Sequence, residues 1–224
     1  TFSALDRLMN DTLQVASFTV AMAGLAILVV LPPGVAVAWM LARWRFPGRV
    51  VLETLVSLPL VLPPVATGLI LITLLGRRGP LGSLLAQLGV EVLFTWLAVV
   101  VAMAVMALPL LVRSARAGFE QVDRRYEQIA ATLGAGSVQV FFTISLPLAR
   151  RAVMSGALLG FSRALGEFGA TIMVAGSLPS TRTIAVAIYT YTETGQQAAA
   201  MLLLVVSATI AFGALLLSNR LTTT

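Results

Sequence analysis

Residues 12–42 read TLQVASFTVAMAGLAILVVLPPGVAVAWMLA, without one charged side chain. A helix rising about 1.5 Å per residue needs about 20 apolar residues to cross some 30 Å of hydrocarbon, so this stretch is long enough to span a bilayer. Residues 54–76, 92–112 and 194–219 are equally free of charge, and 152–174 is interrupted only by Arg163 and Glu167. The expected fold is an all-α integral membrane protein. It forms a single domain over 1–224 with five transmembrane spans at about 14–42, 52–76, 92–113, 151–174 and 195–218. A sixth short or re-entrant helix between Val174 and Tyr191 is the open alternative. The first apolar run is too long for a cleaved signal and further spans follow it, so it is expected to be retained.

Composition agrees. Hydrophobic residues make up 58% and charged residues 11% of the chain, with a mean hydropathy of +0.97, where soluble domains carry about 45–50% apolar and about 25% charged residues. The sequence has no His and no Cys, and all 15 basic residues are Arg. Thiolate and histidine chemistry, Cys/His metal sites, a phosphate-loop lysine and a Schiff base are thereby excluded. An intramembrane hydrolase would need paired carboxylates inside the spans, and none occur. The net charge of +6 does not imply nucleic acid, because the arginines lie between apolar runs and not on one solvated face.

The arginines instead orient the chain. Arg43, Arg45 and Arg49 fall in the first loop, Arg113, Arg116, Arg124, Arg125, Arg150 and Arg151 in the third, and Arg220 at the C-terminal end. The opposite side holds Arg7, Arg77, Arg78 and Arg182. The positive-inside rule predicts an external N-terminus and a cytoplasmic C-terminus.

Helix breakers sit inside the spans. Pro32-Pro33-Gly34 in the first and Pro59 with Pro63-Pro64 in the second are expected to kink or break their helices, either as inert bends or as parts of a pathway. Gly166 and Gly169 are like candidates in the fourth span. Arg163 and Glu167, four apart, can pair across one helical face, as a structural pair or as part of a gate. Gly156-x-x-x-Gly160 suits helix packing or, as the alternative, a dimer seam. An external loop is expected from Ser177 to Thr192. Its Arg182 and Tyr189 are candidates for an external contact or gate, against an interfacial anchor.

Between Val112 and Ala152 a cytoplasmic loop of about forty residues is expected, where compact domains use about four to six. Its charged opening, Arg113 to Glu127, leads into Gln128-Ile-Ala-Ala-Thr-Leu-Gly134, a helix-forming run closed by a C-terminal Gly. A short helix in the region 124–138 is the result, and Phe141-Phe-Thr-Ile-Ser-Leu-Pro147 returns to the membrane.

Gly134, Ile144, Leu146 and Pro147 resemble the G-x9-I-x-L-P half of the signature loop of ABC-importer membrane subunits. In the first half, E-A-A-x3-G, the aligned triplet is Gln128-Ile129-Ala130, with Glu127 one place early, so only the Ala matches. In that family the loop is a coupling helix that docks in a groove of a separate ATPase. The resemblance therefore assigns ATPase coupling to Glu127, Gln128, Ala130, Ala131, Gly134, Ile144, Leu146 and Pro147. Arg163-Ala-Leu-Gly-Glu-Phe-Gly-Ala-Thr171, Thr181-Arg-Thr-Ile184 and Ala187-Ile-Tyr189 are similar to the membrane subunit of molybdate importers. So are Arg43-Trp-Arg-Phe-Pro-Gly48, Leu58-Pro-Leu-Val-Leu-Pro-Pro64 and Gly76-Arg-Arg-Gly79. Tungstate and sulfate or thiosulfate permeases share this style of motif.

The resemblance implies a type I importer permease without a catalytic site, cofactor or metal of its own. ATP and Mg would belong to two cytoplasmic ATPase subunits. The other implied partners are a second copy of the chain, membrane lipid and a periplasmic or extracellular molybdate-binding protein. A dianion cannot cross hydrocarbon, where an isolated charge costs tens of kcal/mol by Born reasoning. The spans hold no cluster of positive charge to bind one tightly, so selection is assigned to the external protein, and the conduit, opened by alternating access, to the space between two copies. The remoter alternative is a channel or ion-coupled carrier using Arg163 and Glu167 as a relay.

Overall fold

The structure is a computed structural model that describes the backbone of residues 2–223 and the side chains of 9–220. Arg7 lies outside the described side chains. Every described element is helical: α1 (Phe2–Arg43), α2 (Arg49–Val61), α3 (Pro64–Leu75), α4 (Pro80–Gln87), α5 (Trp96–Gln121), α6 (Arg124–Thr132), α7 (Ser137–Val140), a π-helical turn at Phe141–Ser145, α8 (Leu146–Leu165), α9 (Gly169–Ala175), α10 (Ile184–Glu193) and α11 (Gln197–Thr223). Met9–Arg43, Trp96–Gln121 and Gln197–Arg220 are each long and apolar enough to cross a bilayer. Two bent pairs, α2 with α3 at 118° and Ser137–Leu165 with α9 at 63°, bring the number to five if each pair is one span.

Helix α5 is the centre of the bundle. In its most apolar window 61% of the residues are buried, against 33% for α1 and 11% for α11. Its small residues Ala98, Ala102, Ala107 and Ala115 are fully buried and let α1 and α8 approach closely, the small-residue packing that membrane helices favour. A Cβ at Gly34 would lie 2.7 Å from Leu111 Cδ2. Gly156 and Gly160 face Ser114 and Ala107 of α5, so this glycine pair packs α8 within the chain. Helix α11 is tied to α8 by a buried hydrogen bond between Ser155 Oγ and Ser218 Oγ at 2.8 Å.

The two Pro-Pro sites behave differently. At Pro63-Pro64 the helix ends: Leu62 and Pro63, each preceding a proline, are extended at ψ 143° and 134°, as the clash of a proline ring with the preceding residue demands. Pro64 then opens α3, where its missing N–H has no partner to lose. Of the kink or break expected at Pro32-Pro33, the break does not occur, and α1 runs through it. Above it Ala26, Ile27 and Val30 are in one core, and below it Val35, Ala38 and Leu41 are in another. Packing on both sides keeps α1 helical, whereas α2 buries only Val56.

Three loop expectations are corrected. Helix α5 carries the charges of Arg113 to Glu120 on its own last turns, with Arg116 paired to Glu120 at 2.8 Å and to Glu53 of α2 at 2.6 Å. The chain becomes helical again at Ser137, so only 122–136, itself containing α6, joins the two long helices, not forty residues. The expected external loop 177–192 contains α10, the short helix held open as the alternative there, started by the Thr183 side chain and by Thr19 Oγ1 of α1, which accepts from Ile184 N at 2.9 Å. With 10 residues, α10 reaches about 15 Å, half a bilayer, so it adds no sixth crossing.

Candidate functional site

The site expected at 124–138 is a short helix with a hairpin-like exit. Asp123 caps α6, its carboxylate accepting from Arg125 N at 2.9 Å. At the other end Ala135 N bonds Ala130 O and Gly134 N bonds Ala131 O, both at 3.0 Å, the paired bonds of a Schellman turn. Gly134 holds φ at +88°, a conformation that a Cβ disfavours. No residue of α6 is buried. Tyr126, Ile129 and Leu133 present an apolar edge, with Leu133 83% exposed. Val138 and Phe142, further along the chain, are exposed as well.

The expected coupling residues take several settings. Gln128 and Ala131 line an open groove of about 320 Å³ with Trp44, Arg124 and Ser137, and Ala130 and Gly134 form the turn. Glu127 points inward: Arg43 Nε donates to its Oε1 at 2.9 Å, and Ser145 Oγ donates to the same oxygen at 2.6 Å. Ile144 and Leu146 are half-buried and Pro147 is exposed. The π turn before Pro147 closes with Leu146 N on Phe141 O, a widened turn that leads into a residue unable to donate. It seats Phe141 against Trp39, ring centroids 5.1 Å apart.

The intramembrane pair forms, but not on one helix. Arg163 Nη1 lies 2.8 Å from Glu167 Oε2, close enough for ionic attraction though not aligned as a hydrogen bond. Helix α8 stops at Leu165 with Gly166 as its cap, so Glu167 stands in the break. Its Oε1 accepts from Ala170 N at 2.8 Å and so caps α9. The carboxylate is 1% exposed. The two broken spans meet here: a Cβ on Gly169 would lie 2.7 Å from Pro64 Cβ, and one on Gly68 2.7 Å from Met173 Cβ. Pro64 and Gly169 are thus in contact, while Gly166 has open space around it. The hydroxyls of Thr67 and Thr171 are buried at this seam without a hydrogen-bond partner.

At the far end of α1, a cleft of about 620 Å³ is lined by Asp11, Gln14, Ser17, Ser180, Arg182 and Tyr191. The Arg182 guanidinium lies 6.0 Å from the centroid of the Tyr191 ring. Tyr189 is elsewhere, 5.2 Å from Phe168 at the α8–α9 break.

Sequence reasoning missed Arg43, Ser145 and Thr19 as structural partners. Arg43 is separated from Glu127 by 84 residues and Thr19 from Ile184 by 165, and no spacing rule reaches so far.

Residues 34–222 match the family described as the binding-protein-dependent transport system inner membrane component. The chain is 44% identical over 211 residues to the molybdenum transport system permease protein ModB of Escherichia coli strain K12, covering 93% of this chain and 92% of that protein. It is 43% identical over 145 residues to the sulfate transport system permease protein CysT of Salmonella typhimurium, covering 65% of this chain and 52% of that one. Its fold resembles a chain of a bacterial alginate ABC transporter crystallised with a pentasaccharide-bound periplasmic protein, with a TM-score of 0.70 at 20% identity over 95% of this chain and 80% of that one. The helical bundle is of the ABC-importer permease kind, and the chain belongs to the family of binding-protein-dependent transport system inner membrane components.

Proposed function

We infer that this chain is the transmembrane subunit of a molybdate ABC importer. The likeness to ModB extends over nearly the whole of both proteins, whereas the likeness to the sulfate permease stops at about half of that protein's length. Tungstate, or sulfate and thiosulfate, is the second reading of the substrate.

One observation supports the mechanism: an uncovered apolar edge, Tyr126, Ile129 and Leu133, stands on and just past a short helix that has no fully buried residue. Such an edge suits the groove of a separate cytoplasmic ATPase. ATP binding draws two such ATPases together, each carrying a coupling helix, and the paired bundles rock between inward- and outward-facing states. The conduit lies between two copies of the chain. The meeting of the two broken spans at Pro64 and Gly169 supplies irregular backbone, which membranes tolerate only inside protein or beside a wet cavity. Arg163, neutralised by Glu167, does not trap the dianion. The N-terminus is external and the C-terminus cytoplasmic. The cleft between α1 and Arg182 faces the binding protein, which selects the anion.

Co-purification tests this reading. The tagged chain, co-expressed with its ATPase, retains that subunit, and Leu133→Glu releases it while the permease still folds. A wild-type chain that retains no ATPase overturns the importer mechanism.

A further inference from the structure

We propose that Arg43, on the last turn of α1, is a positioning residue for the coupling helix, and that through it α1 moves with α6 as one body. The proposal rests on the importer reading above and goes beyond it. It stands on a reciprocal clasp. The Arg43 side chain is 6% exposed and its Nε lies 2.9 Å from Glu127 Oε1 in α6. Its Nη2 donates to Val122 O at 3.0 Å, the carbonyl just past the end of α5. In return Arg124 Nη2, at the first turn of α6, donates to the carbonyls of Ala42 and Arg43 at 3.4 and 3.3 Å. Ser145, buried at the entry to α8, donates to the same carboxylate oxygen. Three long helices, α1, α5 and α8, thus converge on α6 through one carboxylate and two guanidinium groups.

Apolar burial cannot perform this task. Helix α6 has no buried residue, so little hydrophobic contact fixes its angle against the bundle. The planar guanidinium fork holds two acceptors in a set geometry, which a lysine ammonium on a flexible stem does not. Buried ion pairs add little net stability compared with apolar packing, but they can fix a register. Here the register is that between α6 and the cytoplasmic end of α1. The other half of α1 carries Thr19, which caps α10 at Ile184, and, nearer its start, Asp11 and Gln14, which line the external cleft. A displacement of α6 is therefore delivered along an unbroken helix to the far side of the membrane.

The test uses the assembled transporter in liposomes with its binding protein, and reads molybdate taken up per ATP hydrolysed. Arg43→Gln should retain the ATPase and hydrolyse ATP, while uptake per ATP falls at least about fivefold, the lower end of usual coupling factors. Arg43→Lys should recover only part of the loss. Spin labels at exposed Arg45 and Gln128 should give a narrow distance distribution in the wild type and a broad one in Arg43→Gln. Wild-type uptake per ATP and an unchanged distribution in Arg43→Gln would overturn the proposal. If Arg43→Gln fails to assemble, Arg124→Gln, a change at an exposed side chain, decides: lowered uptake per ATP supports the clasp and an unchanged ratio overturns it. Failure of the wild type itself to hold an ATPase would overturn the importer reading and the proposal built on it, whereas a coupled wild type with a coupled Arg43→Gln overturns the proposal alone.

Discussion

The crossing of α5 and α8 at Gly118 is tight enough to predict a double-mutant cycle. A Cβ placed on Gly118 would lie 2.3 Å from Ala152 Cβ, where carbon atoms prefer about 3.5–4.0 Å. Its next neighbours, Ala149 O at 3.5 Å and Ala149 Cβ at 3.7 Å, are in ordinary contact. The overlap thus involves one methyl against one other, and the helices must part by about 1.2 Å or more to relieve it. Overpacking of this kind costs about 1–3 kcal/mol. Helix propensity acts in the opposite direction, because Gly to Ala gains and Ala to Gly loses about 1 kcal/mol. Gly118→Ala alone is then destabilised by the overlap less the propensity gain, and Ala152→Gly alone loses propensity. In Gly118→Ala/Ala152→Gly the methyl group has changed sides, the propensities cancel and the overlap is gone. The interaction energy between the two sites is therefore the overlap itself, about 1–3 kcal/mol in favour of the double variant. Detergent-induced unfolding of the four purified proteins measures it. Additivity within about 0.5 kcal/mol would refute the crossing.

Other consequences are as direct. Gly134→Val forces a β-branched residue into a left-handed conformation at a cost of roughly 1–2 kcal/mol; with nothing within 4 Å of its Cβ, the strain stays in the turn, so the chain should still fold while molybdate uptake falls. Normal uptake would count against the docking turn. Glu167→Gln keeps an acceptor for Ala170 N but leaves Arg163 without its counter-charge, so stability or gating should suffer while the order of preference among molybdate, tungstate and sulfate is unchanged. A changed order would make Glu167 a selectivity residue. Ser218→Ala removes the buried hydrogen bond to Ser155 and should lower unfolding stability by about 0.6 kcal/mol, the mean for such bonds between membrane helices; a loss several times larger would mean that α11 is held by more than the packing described.

The spans were legible because charge-free length is a direct physical requirement of the bilayer. The short helix ending at Gly134 was legible for a similar reason, since its cap and its glycine are local signals. What escaped depends on distant packing. Leu31-Pro32-Pro33 and Leu62-Pro63-Pro64 are the same tripeptide, yet one continues a helix and the other ends it, because α1 is wedged on both sides of its prolines and α2 is not. The length of the cytoplasmic loop was overestimated because hydropathy marks where hydrocarbon ends, not where a helix does; Arg116 and Glu120 extend α5 into water through an i,i+4 pair. Glu127 stands one place early in the signature, which leaves its partner open, and only the fold brings Arg43 and Ser145 to its carboxylate. The pairing of Arg163 with Glu167 followed from spacing, but not its location in a break, where the carboxylate also caps α9.

The most direct test of the account is ATP hydrolysis in liposomes containing this chain, its co-purifying ATPase and its binding protein, with molybdate, tungstate and sulfate compared at matched concentrations. Molybdate should stimulate hydrolysis, with sulfate inert. Stimulation by sulfate would assign the chain to the sulfate permeases, and hydrolysis indifferent to every oxyanion would contradict the coupled importer described here.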